Sequence, residues 1–336
     1  MKKKIISCTG YGGTGSSAIT DLLQEFDNVL SLGDSEFWFL QGYDGISDLE
    51  YYLLDGNHRS KVNLAVNRFK KYIKNHANFY YQFFGKNYRI LSENYINSLI
   101  DSNFSKSVST YEIENRVLKF FIFSLSPKVQ YLFFKLFSNN NEFSPKIPRI
   151  RKSYSIPDKK RFYFETKKYI KSLFTFLDKK NQFEFLAFDQ LVPSINVLRY
   201  FNYIDDLRVI VVDRDPRDLY LLNQIKWNGA AYICDTADVN EFISWYKTMR
   251  LHQKTELNDS RVLRIMFEDL IFKYESSLKS IYEFLGLTFE NHIKKGVFFN
   301  PDISIKNTKL WNDKGASKYK DQINIIEQEL GEYCYR

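Results

Sequence analysis

Two hydrophobic periods alternate along the chain. Short apolar runs with charged or polar ends recur at "KIISC" (4–8), "FEFLAFD" (183–189), "LRVIVVDRD" (207–215) and "RVLRIMFEDL" (261–270). Their length and their β-branched or aromatic content predict strands, most clearly for "LRVIVVDRD" with its β-branched core. "NVLSLGDSEFWFL" (28–40) reads as a further strand with its exit loop. Between them the period changes to that of a helix. Ala18, Ile19, Leu22 and Leu23 share one face of a helix from Ser16 to about Phe26, which Ser16 or Ser17 is placed to cap. Leu278, Ile281, Phe284 and Leu285 share another, and Gly286 stops it. A helix should follow Pro216, and a longer one should run from about 238 to 256. Strands alternating with helices predict an α/β fold, a parallel sheet flanked by helices.

The pattern changes between 44 and 160. "KVNLAVNRFKKYIKNHANFYYQFF" (61–84) places Val62, Ala65, Val66, Phe69, Ile73 and Phe79 near one helical face, with basic residues opposite. The stretch to Ser138 reads mostly helical. "SNNNEFSPKIPRIRKSYSIPDKKR" (138–161) is polar, basic and proline-containing, and reads as a loop or hinge. The expectation is one domain, 1–336, carrying a largely helical insertion at 44–160. "VLKFFIFSLSPKVQYLFFKLF" (117–137) is the most apolar stretch. Pro127, Lys128 and Lys135 interrupt it, so it is not expected to cross a membrane.

Charge and composition narrow the partners. The 336 residues carry a net charge of +8, which favours anionic ligands. No RNA- or DNA-binding signature accompanies it, so nucleic acid is disfavoured. Aromatic residues make up 17%, enough to supply stacking surfaces for sugar-like ligands. Cys8, Cys234 and Cys334 match neither a disulfide framework nor a metal site. A reducing, cytoplasmic setting without a bound metal is expected. The apolar run at the N-terminus is too short for a signal peptide.

The strongest chemical signal is "CTGYGGTGSSAITDLL" (8–23). A strand entering a glycine-rich loop and leaving as a helix aims several N–H groups at one point. Gly12, Gly13, Thr14, Gly15, Ser16 and Ser17 therefore form a candidate phosphate cradle. The lysine of a Walker loop is absent, and "GYGGTG" lacks the context of a dinucleotide fingerprint. No clear Walker B acid is visible either, which disfavours a magnesium-dependent kinase or phosphotransferase.

Three segments together resemble the sulfotransferases that use 3′-phosphoadenosine 5′-phosphosulfate (PAPS). "VIVVDRDPRDLY" (209–220) is similar to that family's 3′-phosphate segment. "RVLRIMFEDLIFKYESSLKSIYEFLGL" (261–287) looks like its strand, acidic turn, helix and F-L-G-L ending. Thr14, Gly15, Ser16 and Ser17 take the places of its 5′-phosphosulfate loop. The resemblance implies a P-loop-like sulfotransferase fold and PAPS as co-substrate. It implies that the loop holds the 5′ end and that Arg214 grips the 3′-phosphate with help from Arg217. The serine that the family places eight residues after that arginine is Leu222 here, with Asn223 beside it as the substitute.

The same resemblance puts Glu36, in "GDSEFWFL", at the position of the base that deprotonates an acceptor hydroxyl, with Asp34 as the alternative. The family's loop lysine or arginine is replaced by Gly13. The missing charge is expected from "KLWNDKGASKYKD" (309–321), which resembles the family's closing segment: Lys314 with Gly315, or Lys320, with Lys226 as a third candidate. The implied activity is sulfuryl transfer to a glycan or polysaccharide precursor, with the 44–160 insertion covering the acceptor site. Peripheral contact of its basic, aromatic helices with a membrane is a further expectation. The competing functions are a P-loop-like phosphotransferase and a family member that binds without turnover.

Overall fold

A computed structural model describes residues 3–56, 58–110, 112–113, 115–138, 142–227, 233–234, 238–256 and 259–336. Its strands are β1 (Lys4–Gly10), β2 (Val29–Glu36), β3 (Ser102–Ser107), β4 (Arg149–Tyr154), β5 (Phe185–Asp189), β6 (Leu207–Asp213) and β7 (Val262–Met266). Two compact units form: Met1–Gly42 with Phe174–Arg336, and Tyr43–Leu173.

The first unit is an α/β fold. Its sheet has the order β2-β5-β1-β6-β7, and every pairing is parallel. Parallel strands need crossovers, and helices fill that role here. Alternate residues of β1, β5 and β6 serve opposite faces. Ile6, Cys8, Ala187, Ile210 and Val212 pack with Ala18, Ile19, Leu22, Leu278 and Ile281 on one face. Phe188 turns to the other, where Phe37 and Phe174 meet it at 5.0 and 4.7 Å between ring centres. The helix Tyr274–Leu285 ends at Gly286 in the left-handed conformation (φ +73°), as its sequence predicts. All five strands of this sheet run the same way, so Gly10, Glu36, Asp189, Asp213 and Met266 end at one edge. Ligands of open α/β sheets bind at that edge.

The second unit is mostly helical, with one addition. β3 and β4 pair antiparallel, from Ser102↔Tyr154 to Ser107↔Arg149. The loop predicted for 138–161 therefore contains a strand. β4 begins with exposed residues, so the sequence lacks the apolar alternation that marks a half-buried strand. The unit also runs past residue 160. The helix Lys159–Thr175 belongs largely to it: Tyr169 stacks on Tyr95 at 4.7 Å and bonds Ser92 (2.7 Å), and Tyr95 bonds Thr166 (2.8 Å).

The stretch expected to be interrupted at Pro127 is one continuous helix, Arg116–Phe137, long and apolar enough by length and composition to cross a membrane. Phe121–Leu125 forms a π-turn, and Pro127 falls in the first turn of the α-helical part that follows. The proline removes one backbone donor inside the helix without ending it.

Candidate functional site

β1 and β6 are neighbours, with Gly10 beside Val212. The glycine loop leaving β1 and the arginine segment leaving β6 therefore emerge side by side. Between them and the ends of β2 and β5 lies a cavity of about 660 Å³. Its wall includes Gly12, Gly13, Gly15, Ser16, Ser17, Glu36, Asp189 and Arg214.

The loop turns through left-handed backbone at Gly12, Gly13 and Gly15. Ser16 and Ser17 do not cap the following helix α1 (Ser16–Leu23), contrary to expectation. They are its first residues, and its N-cap is Gly15, which has no side chain to close the end. The Ser16 and Ser17 amides are thus left for a ligand, and the helix dipole favours an anion there. Thr14 is turned inward: its hydroxyl accepts from the Tyr11 amide (3.1 Å), and it does not line the cavity.

Gly13 has little room for a side chain. A Cβ there would lie 2.6 and 2.8 Å from ring atoms of Trp227 and 3.2 Å from Leu219 Cδ1. A Cβ at Gly15 would lie 2.7 Å from the Phe267 ring. The space beside the position that the resemblance aligns with the family's loop cation is taken by the Trp227 indole.

Arg214 stands at this place. The resemblance put it at the 3′-phosphate; in the structure its Nη1 donates to the Gly13 carbonyl (3.0 Å) and its Nη2 to the Asn307 carbonyl. The guanidinium stacks on Phe267, 4.4 Å from the ring centre. Arg214 is only 4% exposed, and its Nε is buried without a hydrogen-bond partner among the described residues. Burial pulls its pKa down, while Asp218, Glu268 and Asp215 oppose that shift.

The nearby aspartates are engaged elsewhere. Asp213 receives Arg250, together with Gln253 (3.0 Å). Asp215 holds Arg217 through Nε (3.1 Å) and Nη2 (2.7 Å). Asp218 accepts from the amides of Lys309 (2.9 Å) and Leu310 (2.7 Å). Glu268 accepts from the Asp215 amide (3.0 Å), and burial pushes its pKa up to about 8. This acidic frame orients the turn and leaves Arg214 facing the cavity.

The other expected cations are placed differently. Arg217 lies under Trp311 (3.8 Å) and also donates to the Tyr335 carbonyl (3.1 Å), so it braces the C-terminal segment. Asn223 is buried outside the cavity wall. Lys314, Gly315 and Lys320 are exposed, and none lines the cavity. Leu310 and Ala316 pin their segment into a core with Leu219, Leu222 and Ile326, which leaves the lysines outside. Lys226 bonds the Lys306 carbonyl (3.2 Å) and Asn307 Oδ1 (2.8 Å), so it braces the segment that also receives Arg214.

Glu36 faces the cavity, and Trp38 Nε1 donates to its Oε2 (2.9 Å). The side chain of Asp34 lies outside the described residues. Sequence reading missed the partner of Glu36. Asp189, at the end of β5, is in register with Glu36 and lines the same cavity. Its Oδ1 is buried with no hydrogen-bond partner among the described residues. Burial lifts its pKa to about 7; a hydrogen bond from Ser16 opposes this and the Glu36 charge adds to it. The available signal was an acid closing an apolar strand, but only pairing of β5 beside β1 puts it next to the loop.

A buried carboxylate builds the opposite wall. Glu25 Oε1 accepts from the amides of Phe298 and Phe299 (both 2.9 Å), and Oε2 from Gly296 (3.1 Å) and His292 Nε2 (2.6 Å). Gly296–Asn300 line the cavity.

Residues 149–291 match the sulfotransferase family. The matched span holds β5, β6, β7 and Arg214, and ends before the 309–321 segment. Three solved structures are similar. The sulfotransferase domain of the Synechococcus PCC 7002 olefin synthase is 12% identical with a TM-score of 0.42, covering 97% of this chain and 94% of that one. The sulfotransferase domain from the curacin biosynthetic pathway is 13% identical with a TM-score of 0.39, covering 98% of each. Sulfotransferase STF9 from Mycobacterium avium is 12% identical with a TM-score of 0.37, covering 99% of this chain and 76% of that one. No curated protein matches the sequence. The family match supports sulfuryl transfer in general.

Proposed function

We propose that this protein is a sulfotransferase that moves the sulfuryl group of PAPS to a hydroxyl of a glycan or polysaccharide precursor. One observation carries the reading. An uncapped glycine loop, a buried guanidinium and two carboxylates converge on one cavity at the C-terminal edge of the sheet. Its size, about 660 Å³, falls in the range of small-ligand sites.

The chemistry follows from the groups present. The open amides of the loop and α1 hold the 5′-phosphosulfate. Arg214, already on the Gly13 carbonyl, supplies the positive charge that the loop lacks. Charge accumulates on the bridging oxygen as the old S–O bond breaks, and a fixed cation in a dry site stabilises it. The acceptor oxygen forms the new S–O bond and gives its proton to Glu36, which Trp38 orients. Adenosine 3′,5′-bisphosphate leaves. Trp38, 43% exposed beside Glu36, offers an aromatic face for a sugar ring.

A second reading rests on Asp189. An acid on the strand beside the loop strand, bonded to the loop serine, is also how phosphotransferases hold magnesium. Calorimetry with adenosine 3′,5′-bisphosphate and with ATP–Mg separates the two. The expected result is binding of the bisphosphate at least tenfold tighter than ATP–Mg. The reverse order would favour phosphoryl transfer. Labelled PAPS with a glycan panel then tests turnover, and the absence of any acceptor would leave a binding protein.

A further inference from the structure

The helix Arg116–Phe137 is unusual for a folded protein. None of its most apolar window is buried. Phe121, Leu125, Leu132, Leu136 and Phe137 are all exposed. Its charged side chains are Arg116, Lys119, Lys128 and Lys135, and it carries no acid. An apolar patch of this extent marks an interaction surface.

We propose that this helix lies flat on an anionic membrane surface, with its apolar side chains in the headgroup–acyl boundary and its lysines and arginine on lipid phosphates. Phenylalanine and leucine combined with basic residues is the composition of interfacial helices.

Topology decides between lying on the membrane and crossing it. The helix sits on an excursion between β3 and β4, which rejoin where Ser107 pairs with Arg149. Its 22 residues rise about 33 Å, enough to span. A single crossing would put its far end on the side of the bilayer away from β4. The chain returning to β4 would then have to pass back through lipid. The described part of that return segment, 142–148, is not helical, and it runs beside the helix. Lys146 N donates to Gln130 Oε1 (2.7 Å), and Gln130 Nε2 donates to the Lys146 carbonyl (3.1 Å). Phe143 packs on Tyr131 and Phe134, both at 5.3 Å. Irregular backbone exposed to hydrocarbon has no partners for its polar groups, so the spanning arrangement is disfavoured.

Charge selects the occupant. Two copies packed through this face would bring like charges together. An anionic bilayer complements them, and exposed Lys106, Lys146, Arg149 and Arg151 on the hairpin and return segment add to the attraction.

The test is flotation of the full-length protein with vesicles of phosphatidylcholine alone or mixed with phosphatidylglycerol. The expectation is about tenfold more protein on the anionic vesicles, reduced by high salt. Leu132→Asp with Leu136→Asp should lower that binding about tenfold, and Lys128→Gln with Lys135→Gln should remove most of the anionic preference. All four side chains are exposed, so thermal melting should not move. Hydrogen exchange of the unmodified protein asks the same question without a variant: anionic vesicles should slow exchange across 116–137. Equal flotation with both vesicle types, or unchanged exchange in this helix, would overturn the proposal. So would sedimentation showing a dimer that Leu132→Asp with Leu136→Asp dissociates. None of these readouts depends on nucleotide or sulfuryl transfer.

Discussion

The Trp227 ring occupies the space that a side chain at Gly13 would need, 2.6 Å from where its Cβ would stand. Gly13 also has φ +66°, a conformation that residues with a Cβ rarely adopt. The absent loop cation is therefore built into the packing. Gly13→Ala should cost about 1–3 kcal/mol by overpacking and backbone strain, read by chemical denaturation. Gly13→Lys should be tolerated better together with Trp227→Ala than alone. Equal losses in the single and double variants would show that the indole is not the obstacle.

Arg214→Ala should weaken adenosine 3′,5′-bisphosphate binding about 10- to 100-fold, the usual worth of a charged hydrogen bond. Arg214→Lys should recover little, because one ammonium cannot reach the Gly13 and Asn307 carbonyls as the fork does. Titration calorimetry measures both.

Lys314→Ala and Lys320→Ala should change bisphosphate affinity less than about twofold, since both side chains are exposed away from the cavity. A larger effect in the same titration would mean that the 309–321 segment closes over bound nucleotide.

Glu36→Gln should abolish sulfuryl transfer and leave nucleotide affinity intact. Asp189 should be visible through pH. Its folded pKa, about 7, lies above that of an unfolded aspartate, about 3.9. The folded state thus holds this proton more tightly. Its favourable contribution is complete below pH 4 and is lost as pH rises towards 7. Asp189→Asn cannot ionise, so its melting temperature relative to the parent should rise between pH 4 and pH 8. A constant difference across that range would contradict the assignment.

Glu25→Ala should destabilise the fold by about 3–5 kcal/mol, because it leaves His292 and three loop amides without their buried acceptor. It should also speed hydrogen exchange at Gly296–Asn300 and weaken ligand binding through that wall.

Local pattern in the sequence determined the α/β class, the five strands of the parallel sheet, the glycine loop and the Gly286 stop. Each depends on residues near one another along the chain, where period and backbone preference act directly. Strand neighbours do not. Only the sheet order set Asp189 beside Ser16 and brought Arg214 onto the loop carbonyl rather than into a pocket of its own. Only packing across more than two hundred residues filled the lysine's place with Trp227, and only packing against Leu219 and Leu222 turned Lys314 and Lys320 outward. A side chain's chemistry can be read from its letter, but whether its charge faces a ligand depends on what long-range packing places around it.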